Sequence, residues 1–290
     1  MRIVCHNGSA FPGSTLQPSS PGHFHESITT GTTRMKRVIF NQKGGCGKST
    51  IAVNLAAVAA HDGKKTLLID MDPQCNSSRY LLGDAAKEVT PTIAGFFEEM
   101  LGFSFYPKPA STYVHPTPFD NLFLLPSDAS IGDLQSKLES RHKIYKLRDA
   151  LTELAKDFDE IIIDTPPAYN FFTMSALIAA DTCLIPFDCD DFSREALYTL
   201  MNNVAEIRAD HNPGLVIEGI VVNQFQPRAN LPQRLVNELI AEGLPVLNSK
   251  LSSSIVIRES HGRCLPMIHL DKNHKLSNEF SALYGELTAA

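Results

Sequence analysis

The chain contains no Cys-x-x-Cys pair; Cys5, Cys46, Cys75, Cys183, Cys189 and Cys264 are scattered along its 290 residues. That spacing offers neither a disulfide framework nor a metal-ligand pattern, so reduced thiols in a cytosolic protein are expected. No stretch approaches the ~18 consecutive apolar residues of a membrane-spanning helix. The first residues also lack the basic start and apolar run of a secretory signal. A cytoplasmic location with no membrane partner is the expectation. Positive charge is not in excess either, with 26 Lys and Arg against 32 Asp and Glu and a formal net charge of −6. Such a balance does not advertise a nucleic-acid binder, although net charge leaves room for a local basic patch. No internal repeat is visible. The length suits one large or two small domains, with enough chain for a buried core.

Residues 1–34 are rich in Ser, Thr, Gly and Pro and poor in apolar anchors (Pro18-Ser19-Ser20-Pro21-Gly22, Thr29-Thr30-Gly31-Thr32-Thr33). A segment of this kind buries too little surface to offset its ordering entropy. It reads either as a disordered tail or as an upstream extension of a reading frame whose natural start is Met35. The second is the expectation, which leaves residues 35–290 as a single domain.

From Lys36 onward, apolar strand-like runs alternate with helical periodicity. The pattern predicts an α/β fold: a mostly parallel, twisted sheet with helices on both faces. Strands are expected at Arg37–Asn41, Thr66–Asp70, Asn121–Pro126, Glu160–Asp164, Thr182–Pro186, Leu215–Asn223 and Pro245–Leu251. Helices are expected at Lys48–His61, Ile144–Asp157, Phe171–Ala179, Ser193–Ala209, Pro232–Glu242, near Ile255–His261, and at Lys275–Leu287, whose apolar stripe fits a core-docking face. Thr90–Thr117 interrupts the alternation with Phe, Tyr, Pro and Gly. It reads as a packed connection whose aromatics fill the core, or as a partner-binding insertion.

What the chain has in place of charge or cysteine patterns is one glycine-rich octapeptide, Lys43-Gly44-Gly45-Cys46-Gly47-Lys48-Ser49-Thr50. It follows the apolar run Val38-Ile39-Phe40 and precedes a helical pattern, the strand–loop–helix context a phosphate loop requires. Glycines let backbone N–H groups turn toward phosphate oxygens, and the new helix adds its N-terminal dipole. Lys48 then reaches the β- and γ-phosphates and the Ser49 hydroxyl ligates Mg²⁺. Lys43 is a second lysine that an ordinary phosphate loop does not need; beside a triphosphate it serves its own nucleotide or that of a facing subunit. Cys46 reads as a small apolar filler rather than a redox switch.

Three carboxylates follow strand-like runs. Asp70 ends Leu67-Leu68-Ile69, and Asp164 ends Ile161-Ile162-Ile163. In an open parallel sheet the carboxyl ends of strands border the ligand crevice. Asp164 is expected on the Mg²⁺ side, acting through water, with Asp70 in similar support. Asp72, in Asp70-Met71-Asp72-Pro73-Gln74, sits where it can orient or deprotonate an attacking water.

These motifs, Lys43–Thr50, Asp70-Met71-Asp72-Pro73-Gln74-Cys75-Asn76 and Asp164-Thr165-Pro166-Pro167, resemble the deviant Walker A ATPases. The resemblance is to the ParA/Soj partition group in particular, whose Asn-Gln-Lys-Gly-Gly loop start and Asp-Pro-Gln turn are both present. It runs from about Met35 to the C-terminus. It implies a phosphate-loop ATPase that binds ATP and Mg²⁺, hydrolyses ATP slowly, and switches between a monomer and an ATP-sandwich homodimer. The output implied is positioning of DNA or a protein cargo through an activating ParB-like or adaptor protein. Residue by residue, it implies that Lys43 crosses to the partner's ATP and that Gly44 permits the close approach. Gly45, Cys46, Gly47 and Thr50 belong to the cradle with Lys48 and Ser49; Asp72 positions water, Asp164 is the second Walker acid, and Asn223 contacts adenine.

Departures from the pattern qualify those expectations. The late stretch Leu251–Ser260 carries only Arg258, with Arg263 nearby, where the group commonly places basic residues for non-specific DNA binding. The final helical segment carries Glu279 and Glu286, unlike a basic membrane-targeting helix. A MinD-like membrane-surface regulator of cell division therefore ranks second. A non-hydrolysing nucleotide-dependent scaffold is opposed by the complete set Lys48, Ser49, Asp72 and Asp164. Iron-protein relatives need cluster cysteines soon after the second Walker acid, and none precedes Cys183.

Overall fold

Consecutive apolar residues on a strand point to opposite faces of its sheet, so runs such as Leu67-Leu68-Ile69 demand cover on both sides. In the computed structural model, which describes residues 34–289 except 104, 107, 190–193 and 227–229, both faces are covered. Val38, Leu67, Ile69, Ile161 and Ile163 enter one core; Ile39, Leu68 and Ile162 enter the other. The N-terminal segment 1–34, expected to be a tail or a misassigned extension, lies outside the described residues apart from Arg34.

The strands are β1 (Met35–Ile39), β2 (Thr66–Asp70), β3 (His115–Pro116), β4 (Leu122–Leu125), β5 (Glu160–Asp164), β6 (Thr182–Asp188), β7 (Val216–Phe225) and β8 (Val246–Ser252). They form one sheet in the order β3-β4-β2-β5-β1-β6-β7-β8. Every pairing is parallel except β3 with β4. The register sets Asp70 opposite Asp164 and Ile39 opposite Asp164, so the carboxyl ends of three neighbouring strands meet at one place.

The helices are α1 (Lys48–His61), α2 (Asn76–Leu82), α3 (Ile93–Leu101), α4 (Ile131–Ser140), α5 (Lys146–Leu154), α6 (Phe171–Ala179), α7 (Arg194–Asp210), α8 (Asn230–Ala241), α9 (Val256–Gly262), α10 (Met267–Leu270) and α11 (Lys275–Thr288). Helix α1 is apolar all round and rich in alanine, the composition of a helix enclosed on every side. It packs on the sheet beneath α11, α2 and α10, and Ile51 to Ala60 are all buried.

The structure bears out part of the expectation that the aromatics of Thr90–Thr117 fill the core, and adds secondary structure that was not expected. Helix α3 and a short 3₁₀ turn at Ala110–Tyr113 occupy much of it. Phe96, Phe97 and Tyr113 are buried, whereas Phe103, Phe105 and Tyr106 are exposed. Three further helices, α2, α4 and α10, stand where no helix was expected, and β7 runs past Asn223 to Phe225.

Two polar devices hold the ends of the sheet away from the site. At the amino end of β1, buried Arg37 donates to both oxygens of Glu218 (Nε 2.6 Å, Nη2 2.7 Å) and pairs with Glu160, which also accepts from Tyr284 Oη at 2.7 Å. At the β8 edge, the Glu286 carboxylate accepts from the Asn248 and Ser249 amides, both at 2.8 Å, and Glu279 accepts from the Ser252 amide at 2.7 Å. Open edge amides are a template for pairing with another chain. Glu279 and Glu286, conspicuous in sequence only as acids on the last helix, therefore close an edge.

Candidate functional site

The loop from Asn41 to Lys48 leaves β1 and enters α1. Gly45 and Gly47 take φ of +80° and +90°, left-handed values that glycine adopts without strain. A Cβ on Gly44 or Gly45 would meet nothing within 4 Å, so the cradle they form is open. Asn41 fixes the loop's start, accepting from the Lys43 amide at 2.9 Å and donating to Pro186 O at 2.6 Å. Lys48 is buried, and its Nζ donates to Lys43 O at 3.0 Å, curling across the loop it belongs to. The loop, with Asp72, Gln74, Asn76 and Pro167, lines a cleft of about 330 Å³. A larger cavity of about 500 Å³ lies beyond α2, lined by Cys75, Arg79, Ser127 and Asp128; it contains no phosphate-loop residue.

The three acids have different surroundings. Asp70 is fully buried and engaged on both oxygens: Oδ1 accepts from the Asp72 amide (3.0 Å), and Oδ2 accepts from Ser78 N and Oγ (2.8 and 2.7 Å). These bonds lock the turn that leads to Asp72; neither Asp70 nor Asp164 lines the 330 Å³ cleft. Asp164 is also fully buried. Its Oδ2 accepts from Ser77 Oγ at 2.7 Å, while Oδ1 has no hydrogen-bond partner of normal geometry among the described residues. Burial pushes the Asp164 pKa upward; the Ser49 and Ser77 hydroxyls and Lys48 oppose it. Burial, followed by the charge of Asp164, likewise raises Asp70. An orphaned buried carboxylate oxygen is costly unless something positive reaches it. Beside the Ser49 hydroxyl, that oxygen fits a hard divalent cation, for which oxygen donors are the suitable set.

Asp72 lines the cleft at 5 % exposure. Its Oδ1 accepts from the Gln74 amide at 2.9 Å, the bond that closes the Asp-Pro-Gln turn. Burial raises its pKa, with the Gln74 amide and Lys48 pulling the other way. Cys46 is wholly buried and its thiol pKa is raised by burial, which fits a filler and not a reactive thiolate.

Asn223 was expected at adenine. In the structure its amide lies on the loop: Nδ2 donates to Cys46 O at 3.0 Å, and a Cβ on Gly47 would overlap that same nitrogen. Next to it, Gln224 (φ 54°) donates to Asp188 Oδ2 at 3.0 Å. Asn223, Gln224 and Thr50 border a second cleft of about 300 Å³ running from the loop toward Ser254 and Arg258. Lys43 is half-buried and its side chain does not line the 330 Å³ cleft.

Sequence reading missed Ser77 and Ser78, which hold Asp164 and Asp70 from the first turn of α2. The run Cys75-Asn76-Ser77-Ser78, directly after the Asp-Pro-Gln turn, was the available signal: residues of this type favour helix starts. His261, which lines the same cleft from α9, carried no signal at all.

Fold and cleft together define a phosphate-loop nucleotide-binding protein, and the comparisons with known proteins carry this further. A family profile described as AAA domain matches residues 35–217. The chromosome partitioning protein ParA of Myxococcus xanthus is 38% identical over 202 residues, covering 69% of this chain and 69% of that protein. The chromosome-partitioning ATPase Soj of Treponema pallidum is 31% identical over 255 residues, covering 87% and 96%. The structure of a Cyanothece McdA variant in complex with ATP superposes with a TM-score of 0.76 at 22% identity, covering 89% of this chain and 98% of that one. The chain belongs to the ParA/Soj family of partition ATPases.

Proposed function

We propose that this protein binds and slowly hydrolyses ATP, and that it uses the nucleotide to switch between a monomer and a homodimer that positions DNA or a protein assembly. The observation that carries the proposal is the orphaned Asp164 Oδ1 beside Ser49, at the end of a glycine loop crossed by buried Lys48. Ser49 and Asp164 would hold Mg²⁺, with Asp70 setting the turn behind them. The cation would neutralise phosphate charge and orient the β- and γ-oxygens.

The chain's own groups do the rest. Backbone amides from Gly44 to Thr50 bind phosphate oxygens at the amino end of α1. Lys48 exchanges its bond to Lys43 O for one to phosphate, a charge-assisted and stronger partner. Asp72 has Oδ1 committed to the Gln74 amide, leaving Oδ2 to accept from and orient a water. One positioned acid is a sparse apparatus, which fits slow turnover that an adaptor of the ParB kind completes. Because the Lys43 side chain stands outside its own chain's cleft, a role toward the nucleotide of a facing protomer suits it better than one in cis. Glu279 and Glu286 are committed to the β8 edge, so α11 offers no basic face to a membrane. No helix among the described residues is long and apolar enough to cross one.

The test is phosphate release from MgATP together with light-scattering mass. Wild type should hydrolyse slowly and dimerise with ATP. Asp72→Ala should stay an ATP-bound dimer without releasing phosphate, and Lys43→Ala should bind ATP and remain monomeric. A Lys43→Ala variant that dimerises and turns over like wild type would remove the sandwich from the proposal.

A further inference from the structure

Among the residues lining the 330 Å³ cleft, His261 alone comes from beyond Pro167. It sits on α9, brought to the phosphate loop across a separation of 211 residues, with Nε2 3.0 Å from Thr50 Oγ1. Its ring stacks on Tyr80 of α2, with centroids 3.8 Å apart and planes 24° from parallel. Tyr80 Oη in turn accepts from Asn54 Nδ2 of α1 at 3.2 Å and bonds Ser260 Oγ at 2.5 Å. The ring lines the cleft, yet burial penalises its charged form and lowers its pKa. Stacking and the Thr50 bond together allow the ring little rotation.

We propose that His261 is a positioning residue of the nucleotide site: its Nε2–H donates to Thr50 Oγ1 and so turns the Thr50 hydroxyl proton into the cleft, toward a phosphate oxygen. The inference rests on the nucleotide-binding reading above and adds to it a residue outside the three motifs. A hydroxyl has one proton and two lone pairs. If Nε2 accepted from Thr50, that proton would point at α9 and a phosphate oxygen would meet a lone pair. If Nε2 donates, the hydroxyl is an acceptor on the α9 side and a donor on the cleft side, and the two bonds strengthen each other. The same ring ties the loop to α2, whose Ser77 and Ser78 hold Asp164 and Asp70.

The test uses the full chain, with MgADP as probe in calorimetry and ¹⁵N-imidazole NMR on wild type. The Nε2–H tautomer is expected for His261, persisting on MgADP addition. His261→Phe, which keeps a ring on Tyr80 but cannot donate, should weaken MgADP by roughly threefold to tenfold, the worth of one hydrogen bond. His261→Gln, whose amide can donate, should recover most of that. Thr50→Val with His261→Phe should be no weaker than Thr50→Val alone, because His261 acts through Thr50. An Nδ1–H tautomer, or losses that add in the double variant, would overturn the inference. If His261→Phe does not fold, the tautomer and the glutamine variant still decide it. Failure of wild type to bind MgADP would instead refute the nucleotide reading.

Discussion

Replacing Gly47 with alanine tests the phosphate loop at its tightest point. Two costs can be worked from the structure. At φ +90° an alanine sits in a region that only glycine occupies freely, costing about 1–3 kcal/mol. Its Cβ would also overlap Asn223 Nδ2, forcing the amide off Cys46 O and forfeiting about 0.5–1.5 kcal/mol net. The sum, roughly 1.5–4.5 kcal/mol, corresponds to a loss of about tenfold to a thousandfold in any equilibrium that needs this loop conformation. The loop is short and its tip exposed, so relief comes by letting it change shape rather than by unfolding α1. Calorimetry with MgADP should therefore show the loss in affinity, while urea denaturation without nucleotide shows a smaller part of it. Adding Asn223→Ala to Gly47→Ala removes the overlap but not the dihedral strain, and should return a few-fold of the affinity. Gly47→Ala binding MgADP within about twofold of wild type would mean that the left-handed turn is not the bound conformation, and the cradle as described would be wrong.

Three other expectations follow from the polar interior. Arg37→Met leaves Glu160 and Glu218 buried without their cation and should cost about 3–5 kcal/mol in urea denaturation, with nucleotide affinity kept at doses where the variant is folded; a cost under 1 kcal/mol would show the carboxylates relaxing to water. Glu286→Ala frees the amides of Asn248 and Ser249 at the sheet edge, so size-exclusion chromatography at rising concentration without nucleotide should show self-association that wild type lacks; a strictly monomeric variant would deny the edge-closing role. Asp70 and Asp164 both have pKa values raised by burial, so between the ordinary carboxylate value near ~4 and their raised values the folded state holds protons that the unfolded chain has released. Nucleotide-free, metal-free protein should accordingly gain stability as pH falls from about 7.5 toward 5.5, and Asp70→Asn should flatten that slope. A stability that falls over the same interval would reverse the assignment.

How much of this was legible in sequence follows from where the energy is local. β2, β5, α1 and α6 fall on the residues expected of them because each is specified by its own composition: three consecutive apolar residues closed by an acid, or a predominantly apolar helix. The helix α3 was hidden because Gly95, the aromatics and nearby prolines read as loop signals, whereas burial of Phe96 against Tyr113 and of Phe97 against Phe171 and Phe172 of α6 decides the conformation. The short helices α2 and α10 lack a stripe long enough to count and are held by tertiary bonds, such as Ser78 to Asp70 and the Met267 amide to Asn54. At the site, residues contiguous in the loop could be read directly. The acids Asp70, Asp72 and Asp164 could be read too, from the ends of apolar runs, but contacts from residues without such a frame could not: nothing in Asn223 announces that its amide braces Cys46 O, and nothing in His261 announces Thr50.

That division also explains why Asp70 and Asp164 look alike in sequence and differ in place. Both end buried strands, and the register sets them side by side. Two adjacent buried carboxylates cannot both be left to ionise without compensation. The chain resolves the conflict through α2, which begins just after the Asp-Pro-Gln turn and presents Ser77 to one acid and Ser78 to the other. Asp70 takes three donors and becomes part of the frame on which the Asp72 turn is built. Asp164 takes Ser77 on one oxygen, and its other oxygen has no hydrogen bond of normal geometry among the described residues, with the Ser49 hydroxyl acting on the same carboxylate. Ser77→Ala would leave Asp164 more exposed to its neighbour's charge, and its consequence should be read in Mg²⁺ dependence. Nucleotide affinity at saturating Mg²⁺ should hold within about threefold, while the Mg²⁺ concentration needed should change by roughly tenfold, the worth of one hydrogen bond to a charged group. An unchanged Mg²⁺ requirement would separate Asp164 from the metal and return it to the frame beside Asp70.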